Sequence, residues 1–427
     1  MYQNFHYLHT LPEFFTMVDN SNVTNLIHKK IRGPINVLRL EGNISGIAKI
    51  IYIFMDYHEY PKCSANSADI VAEDIDEYLE NILSNLNRKK TLCYDFFMEI
   101  TLKDIISKNF KFEGLYINKL RLLFMKLFSY DFDEKEMKIK NVKTKNLEKI
   151  RLHYVDIRDY INFDIFTNYM NIITIMKNII SVLNIPNLDI LTSNEVDNIV
   201  DYYIALANNF TVFSKQIKKL YGVLTKNFVK KPITKHYTDL SNYLLEYIIY
   251  KIKYMYENNL VKSKLNEVLE ELSKNLYTLL NNSKHVSKIM NENLESIVKK
   301  IISGHDILVD FVWKIKESID LCIPIIDNFL TYSSYFMDVY LLRRFLEKKY
   351  ITNVIVYVGC EHGANCIDIL VKKFNFKITN ACYFNVANID DLNSNILNSS
   401  SRTDVVNLTI PKLKNQIVDL YGFPEPF

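Results

Sequence analysis

Apolar residues follow two different spacings along this chain, and the two spacings predict different elements. In residues 35–55 they form two β-rich runs on either side of a short segment with two glycines, which is typical of a β-hairpin. Residues 92–100 form a further run, and between these regions the apolar positions of residues 70–83 recur every three or four residues, as in a helix. Because a strand–helix–strand unit is nearly always a right-handed parallel crossover, this part of the chain predicts a parallel sheet.

A long region with helical spacing follows in the sequence. From about residue 165 to residue 347 apolar residues recur at intervals of three and four, for example at Leu240, Leu244 and Ile248. Polar breaks divide this region into five or six expected helices. The charged residues 131–149, which precede it, are expected to form a solvated connector.

The strand pattern returns near the end of the chain. A β-branched run over residues 353–358 stops at Gly359 and is followed by a helical pattern over residues 363–374 and by a strand pattern around residues 376–384. The alternating residues 150–158 indicate one more strand before the helical region.

The expected fold class is therefore α/β, with a central, mostly parallel sheet, flanking helices and a large all-helical insertion. Residues 1–164 and 351–427 are expected to form the two parts of the α/β domain, the latter with a tail, and residues 165–350 the helical insertion.

Composition narrows the classes of function without choosing one. The 427 residues carry a formal net charge of +3, which gives no reason to expect a nucleic-acid partner or an anionic membrane surface. The six cysteines contain no C-x-x-C pair, and no secretion signal or uninterrupted apolar span is present, which favours a reduced, soluble, cytoplasmic protein that does not enter a membrane.

His362 is the first candidate functional residue. It follows a buried strand by way of Gly359, and the carboxyl ends of parallel strands are where open α/β proteins place their chemistry. Other strands also end in polar groups: Asp56 and His58 follow the run at 50–55, and Glu99 lies at the end of the run at 92–100. Parallel crossovers would bring all of these ends to one edge of the sheet.

This set of side chains is typical of a metal centre. His58, His362 and Asp56 are the expected ligands of a divalent ion such as Zn, Mn or Fe, with Glu99 as general base and Arg158 as substrate anchor. The alternative is structural: Glu99 and Asp156 cap elements or pair with Arg158, and the histidines are satisfied packing residues. Cys360 is more simply interpreted as a small buried residue than as a ligand or nucleophile.

The order of these motifs resembles a superfamily that contains erythromycin esterases, ChaN-like haem-binding proteins, TraB proteins and Tiki metalloproteases. The similar positions are Asp56-x-His58 after the first strand, Glu99 after the second, and Gly359-x-x-His362 after the late strand. In that superfamily the first motif usually begins with glycine, where this chain has Met55. The resemblance implies a hydrolase-like, metal-binding site with an unidentified small-molecule or peptide substrate.

The whole chain also resembles proteins of giant DNA viruses, both in its richness in Asn, Ile, Lys and Tyr and in segments such as Tyr52 to His58. That resemblance implies a viral protein located in the cytoplasm of the infected host cell or in the virion.

Two functions of different classes follow from the sequence. The first is metal-dependent hydrolysis at the carboxyl edge of the sheet. The second is a catalytically inactive structural or interaction protein of a virus, in which the helical insertion is the binding surface for self-association or for host partners. Binding of haem or another small ligand without turnover is a third, weaker alternative.

Overall fold

The structure is a computed structural model, and it describes residues 30–57, 72–89, 92–100, 115–133, 138–144, 147–157, 163–183, 193–231, 240–303, 308–412 and 416–424. The strands are β1 (Lys30–Arg32), β2 (Asn36–Ile44), β3 (Ile47–Asp56), β4 (Glu73–Asp74), β5 (Tyr94–Met98), β6 (Phe128–Asp133), β7 (Lys138–Thr144), β8 (Ile150–Tyr154), β9 (Asn353–Gly359), β10 (Lys377–Ala381) and β11 (Ile417–Asp419). The helices are α1 (Ile75–Lys89), α2 (Tyr116–Leu127), α3 (Phe163–Leu183), α4 (Ser193–Thr225), α5 (Leu240–Tyr254), α6 (Asn259–Ser303), α7 (Leu308–Leu346), α8 (Cys360–Phe374), α9 (Ile389–Asn398) and α10 (Arg402–Thr409).

Six of these strands form the central sheet, in the order β10-β2-β3-β9-β5-β8. The pairs β3–β9, β9–β5 and β5–β8 are parallel, whereas β10–β2 and the predicted hairpin β2–β3 are antiparallel. Strand β9 lies between β3 and β5, and all seven of its residues are buried. This explains why its sequence is a continuous β-branched run rather than an alternating one. The expected α/β class with a mostly parallel sheet is confirmed.

The two faces of the sheet are covered by different helices. On one face, the even-numbered residues of β3, such as Tyr52 and Phe54, belong to the same apolar cluster as the buried side of α1 and α2. On the other face, odd-numbered residues such as Ile53 and Met55 belong to a cluster with α8 and with the long helices α3 to α7. The period-two alternation of a strand thus assigns its side chains to two separate cores.

The helical region predicted from the spacing of apolar residues is present as α3 to α7, which lie in sequence between β8 and β9. Their buried residues and those of one sheet face form one apolar cluster. The division into an α/β domain and an all-helical insertion at residues 164 and 350 remains a prediction. In the parts of the chain that the structure describes, no helix combines the length and the apolar character needed to cross a membrane.

One prediction about secondary structure is wrong. Residues 131–149 were expected to form a solvated connector, but β6 and β7 pair there as an antiparallel hairpin. The charged residues of this segment concealed the period-two alternation of Lys138, Ile139 and Lys140, which is compatible with a strand that has one polar side.

Candidate functional site

The end of β9 and the start of α8 form the centre of the candidate site. Gly359 is the N-cap of α8, with φ −56° and ψ 147°, so helical geometry begins at Cys360. His362 therefore lies inside the first turn of the helix, whereas the sequence predicted it in a turn before the helix. The helix supplies a rigid backbone for the imidazole.

The imidazole of His362 lies between two carboxyl groups. Its Nδ1 is 2.7 Å from Oδ1 of Asp338, and its Nε2 is 3.8 Å from Oε1 of Glu99. The side chain is 15% exposed, so it is reachable from solvent while most of the ring is packed. A carboxylate at Nδ1 selects the tautomer that carries its proton there, and Nε2 is then the basic nitrogen.

Asp338 reaches His362 from the C-terminal part of α7 and is completely buried. Its Oδ2 accepts a hydrogen bond of 2.6 Å from the side-chain amide of Asn365, one turn after His362 on α8. Burial raises the pKa of Asp338, and the neighbouring His362, Asn365 and Arg402 oppose this effect. The carboxyl group is thus held by two partners on the same helix, and these fix its orientation.

The network continues from Asn365 towards the surface. Arg402, the first residue of α10, donates a hydrogen bond of 2.5 Å from Nε to Oδ1 of Asn365. The same guanidinium forms an ion pair with Glu361 and contacts the hydroxyl of Thr331 at 3.4 Å. A continuous chain of polar contacts therefore connects the surface arginine to the imidazole.

Glu99 is fixed at the carboxyl edge of β5 by backbone contacts. Its Oε2 accepts a hydrogen bond of 2.7 Å from the amide of Gly359, and its own amide donates to the carbonyl of Tyr357 at 3.2 Å. Its carbonyl accepts a hydrogen bond of 3.2 Å from Arg121 on α2. The side chain is buried, so the protein rather than solvent fixes the orientation of the carboxylate.

Asp56 ends the neighbouring strand β3 and is in register with Gly359. The carboxylate is buried and accepts a hydrogen bond of 3.3 Å from the side-chain amide of Gln416. Burial, followed by the nearby charge of Asp56, raises the pKa of the Tyr357 hydroxyl well above its ordinary value. Asp56 thus lies at the expected edge of the sheet, on the face that carries Tyr357.

The structure brings together two of the side chains that were assigned roles from the sequence, Glu99 and His362. His58 and Arg158 lie outside the described residues. Among the described residues, no group of three or more His, Cys, Asp or Glu side chains has the arrangement of a metal site. The ligand set of His58, His362 and Asp56 therefore remains a prediction.

Sequence reasoning missed three members of the network, Asp338, Asn365 and Arg402. Asp338 gave one signal, because it is an acidic residue within the most apolar stretch of the chain, residues 319–342. A charged residue at such a position needs a buried partner. Nothing in the sequence identified that partner as His362, since the two residues belong to different helices.

Cys360 contributes to packing at this site. Burial and the charge of Glu361 raise the pKa of its thiol to about 12, so the thiolate needed for nucleophilic attack or metal binding is disfavoured. The preference of the sequence analysis for a buried small residue agrees with this environment.

Comparison with known proteins identifies relatives along almost the whole chain. A protein of Acanthamoeba polyphaga mimivirus, "Uncharacterized protein R706", is 31% identical over 445 residues, which cover 95% of this chain and 100% of that protein. "Uncharacterized protein R161" of the same virus is 30% identical over 447 residues, or 93% of this chain and 98% of the relative. No solved structure matches the chain.

The resemblance to giant-virus proteins is thus confirmed, whereas no relative supports the resemblance to the esterase and metalloprotease superfamily. The model of one family, described as "Family of unknown function (DUF5847)", matches residues 29–427. The chain belongs to this family and is similar over nearly its full length to mimivirus proteins.

Proposed function

We propose that this protein is a metal-dependent hydrolase with its site at the carboxyl edge of β3, β9 and β5. The observation that carries the proposal is the 2.7 Å contact between Asp338 and Nδ1 of His362, with Nε2 of the same ring 3.8 Å from Oε1 of Glu99. Histidines that bind metal ions almost always have such a carboxylate or carbonyl partner behind the ring.

The side chains assigned to this edge from the sequence are of the types that bind a divalent ion such as Zn, Mn or Fe. His362 would hold the ion through Nε2, together with His58 and Asp56 as ligands predicted from the sequence. When bound, the ion would supply an acidified water as the nucleophile. The substrate class is a small molecule or a peptide, and Arg158 is the proposed anchor for it.

The role proposed for Glu99 follows from its surroundings. One carboxylate oxygen is occupied by the amide of Gly359, while the other lies 3.8 Å from Nε2 of His362. A carboxylate held in this way can accept a proton from water at the position that faces the imidazole. The order Asp56-x-His58, Glu99 and Gly359-x-x-His362, which resembles the esterase and metalloprotease superfamily, supports the same assignment.

Elemental analysis tests the proposal directly. We expect purified protein to retain close to one equivalent of a transition metal without chelators, and His362→Ala to lose it. His285, an exposed histidine on α6, provides the matched control, and His285→Ala should keep the metal. Absence of stoichiometric metal from the wild-type protein after growth with added Zn, Mn and Fe would refute the metallohydrolase proposal.

A second variant tests metal binding in a protein that keeps its fold. Asp338→Asn keeps the size of the side chain but removes the acceptor charge behind His362, and it should weaken metal affinity about 10- to 100-fold. Circular dichroism of the same preparations checks that the helices are intact. Unchanged affinity in a folded variant would mean that Asp338 has no orienting role.

The second candidate function is a catalytically inactive interaction protein that self-associates through its long helices. Its support is a set of exposed apolar residues on α7: Trp313, the single tryptophan of the chain, is 69% exposed, and Ile323 and Leu330 lie two turns apart on one side. Light scattering after size exclusion distinguishes this candidate. It predicts an oligomer that dissociates in Ile323→Ser/Leu330→Ser, and a monomeric wild-type protein would exclude it.

A further inference from the structure

A cavity separate from His362 lies among α6, α7 and α8, with Arg402 at its rim. Its volume is about 320 Å³, and its apolar wall is formed by Val268, Leu272 and Ile369. This volume is at the lower end of the range for small-molecule sites, which begins near about 300 Å³. The cavity can therefore hold a small organic molecule.

The charged residues that line the cavity favour an anion. Three of them are cationic, Lys372, Lys373 and Arg402, and two are acidic, Glu271 and Asp368. Two further acids, Glu267 and Glu361, pair with Lys373 and Arg402 from outside the lining. The two lysines are adjacent on the last turns of α8. In a recess that is partly shielded from water, these three cationic side chains attract a negative group more strongly than they would on an open surface.

The existing ion pairs leave one of these cations available. Lys372 is held by Asp368 at 2.6 Å, one turn earlier on the same helix. By contrast, Nζ of Lys373 lies 3.7 Å from the nearest oxygen of Glu267, which is beyond hydrogen-bonding distance. Both Lys373 and Glu267 are about one-third exposed or more. Replacing Glu267 by another anion as the partner of Lys373 therefore costs little free energy.

Two tyrosines add neutral hydrogen-bond donors to the cavity wall. Burial raises the pKa of Tyr335, with a further contribution from Asp368, and burial also raises the pKa of Tyr332. Both phenols therefore keep their protons in neutral solution. They add the few fixed polar groups that orient a ligand in an otherwise apolar pocket.

We infer that this cavity is a binding site for a small organic anion, in which a phosphate or carboxylate group contacts Lys372, Lys373 and Arg402 and an apolar body lies on Leu272 and Ile369. The inference does not depend on a metal at His362. Arg402 belongs both to the cavity and to the polar chain that runs through Asn365 to Asp338. Variants of the lysines therefore test the cavity without disturbing that chain.

Calorimetric titration with three related probes tests the inference. Phenyl phosphate and benzoate carry the two candidate anionic groups on an aromatic ring, and benzyl alcohol is the neutral counterpart. We expect at least one anion to bind with Kd below about 1 mM and benzyl alcohol to bind at least about tenfold more weakly, since hydrogen bonds to charged groups contribute that much. The stronger of the two anions identifies the preferred group.

Charge-matched variants locate the binding site. Lys372→Gln/Lys373→Gln should weaken binding at least about tenfold, and Lys373→Gln alone by a smaller factor. Lys284→Gln/Lys288→Gln removes the same charge from exposed positions on α6 and should leave the affinity unchanged. Lys373→Gln alone provides the test if the double variant fails to fold, because the contact of Lys373 with Glu267 is long and partly exposed.

Three results would overturn the inference. The first is no binding of either anion to the wild-type protein at about 5 mM, a concentration that would detect even weak ligands. The second is equal affinity for benzyl alcohol, which would show that the charge is irrelevant. The third is an equal loss in the two double variants, which would show a long-range effect of net charge rather than contact with Lys372 and Lys373.

Discussion

Asp95 on β5 is completely buried and has basic partners from the neighbouring strand. It accepts hydrogen bonds of 2.7 and 2.6 Å from Arg151 and lies 2.7 Å from Nε2 of His153. Arg344 on α7 contacts Nδ1 of the same histidine at 3.0 Å. Burial by itself would raise the pKa of Asp95, but the contacts with His153 and Arg151 outweigh it and hold the pKa below 3.8.

The stability of the protein should therefore depend on Asp95 in a pH-dependent way. A carboxylate with a lowered folded-state pKa stabilises the fold above its unfolded value of 3.8, and this stabilisation is lost as the pH falls through the folded-state pKa. We expect Asp95→Asn to lower the free energy of unfolding by about 2–4 kcal/mol at neutral pH, because it breaks a buried charge pair. The difference from wild type should shrink below about pH 4.

Urea titrations at neutral and acidic pH measure this difference. Asp320, an exposed carboxylate on α7, is the matched control, and Asp320→Asn should differ little from wild type at either pH. His153 shifts the wild-type curve in the same direction, because burial lowers its pKa and so protonation below about pH 6.5 favours the unfolded chain. A deficit in Asp95→Asn that stays constant down to about pH 2 would contradict the assigned pKa direction.

At the scale of elements, the C-terminal end of α7 depends on one lysine from the sheet. Lys49 on β3 is buried, and its ammonium donates to the carbonyls of Phe345 and Lys348, each at 2.9 Å, and to the carbonyl of Ile351. These carbonyls belong to the end of the helix and to the segment that leads into β9. The lysine satisfies acceptors that a helix end leaves without partners.

Replacement of this lysine by an apolar side chain should loosen the junction. Lys49→Met keeps most of the volume but leaves the carbonyls without a donor, and we expect a loss of about 2–3 kcal/mol in the free energy of unfolding. Lys288→Met, at a position where the side chain is 75% exposed, should change it by less than about 0.5 kcal/mol. Urea denaturation compares the two, and equal effects would contradict the capping role of Lys49.

Close packing between α8 and β3 depends on the absence of a side chain at Gly363. A Cβ atom there would lie 2.7 Å from Cγ of Met55, a buried residue in the middle of the sheet. In this chain the small residue of the contact is thus on the helix and the large one on the strand. The helix that carries His362 can approach the sheet because the two sizes are complementary.

Gly363→Ala should therefore destabilise the protein by about 1–2 kcal/mol, since the free-energy cost of overpacking the core exceeds the gain from the higher helix propensity of alanine. The same substitution at Gly222 on α4, where an added Cβ meets nothing within 4 Å, should be neutral or stabilising. In a Met55→Ala background the penalty at Gly363 should disappear. Thermal or urea unfolding measures the loss of stability caused by Gly363→Ala in each background. An equal loss in both would show that contact with Met55 is not its cause.

At the scale of the whole molecule, the long helices and the sheet share one apolar core. A single cluster of buried residues extends from Leu38 and Ile53 on the sheet to Phe210 on α4 and Leu276 on α6. Elements that share a contiguous core usually unfold together. We expect one calorimetric transition, with the calorimetric and van't Hoff enthalpies in agreement.

Two transitions would instead support the division of the chain at residues 164 and 350 into separately stable parts. Differential scanning calorimetry of the full chain decides between the outcomes. The Lys49→Met variant is measured in the same way, because Lys49 connects the sheet to the end of α7. A second transition that appears only in this variant would show that the junction is what makes unfolding cooperative.

Much of the fold could be predicted because it depends on local patterns. The runs that became β3 and β9 are apolar on both faces, and this property belongs only to strands in the interior of a sheet. The helices α3 to α7 repeat apolar residues at the helical period. The hairpin of β6 and β7 could not be recognised in this way, since its lysines obscured the alternation and tertiary contacts decide whether such a segment pairs.

The sequence by itself predicted that Glu99 and His362 would lie at one edge of the sheet, because parallel strands have their carboxyl ends at the same edge. Their approach to 3.8 Å depends on β9 lying next to β5. The sequence could not determine which residue contacts Nδ1 of the His362 imidazole. Asp338 is 24 residues from His362 in sequence and lies on another helix, so their contact depends on how α7 and α8 pack against each other. Local periodicity indicates where each strand lies and which of its side chains share a face, whereas the packing of helix on helix has no local signature, so only the tertiary structure decided the partners of His362.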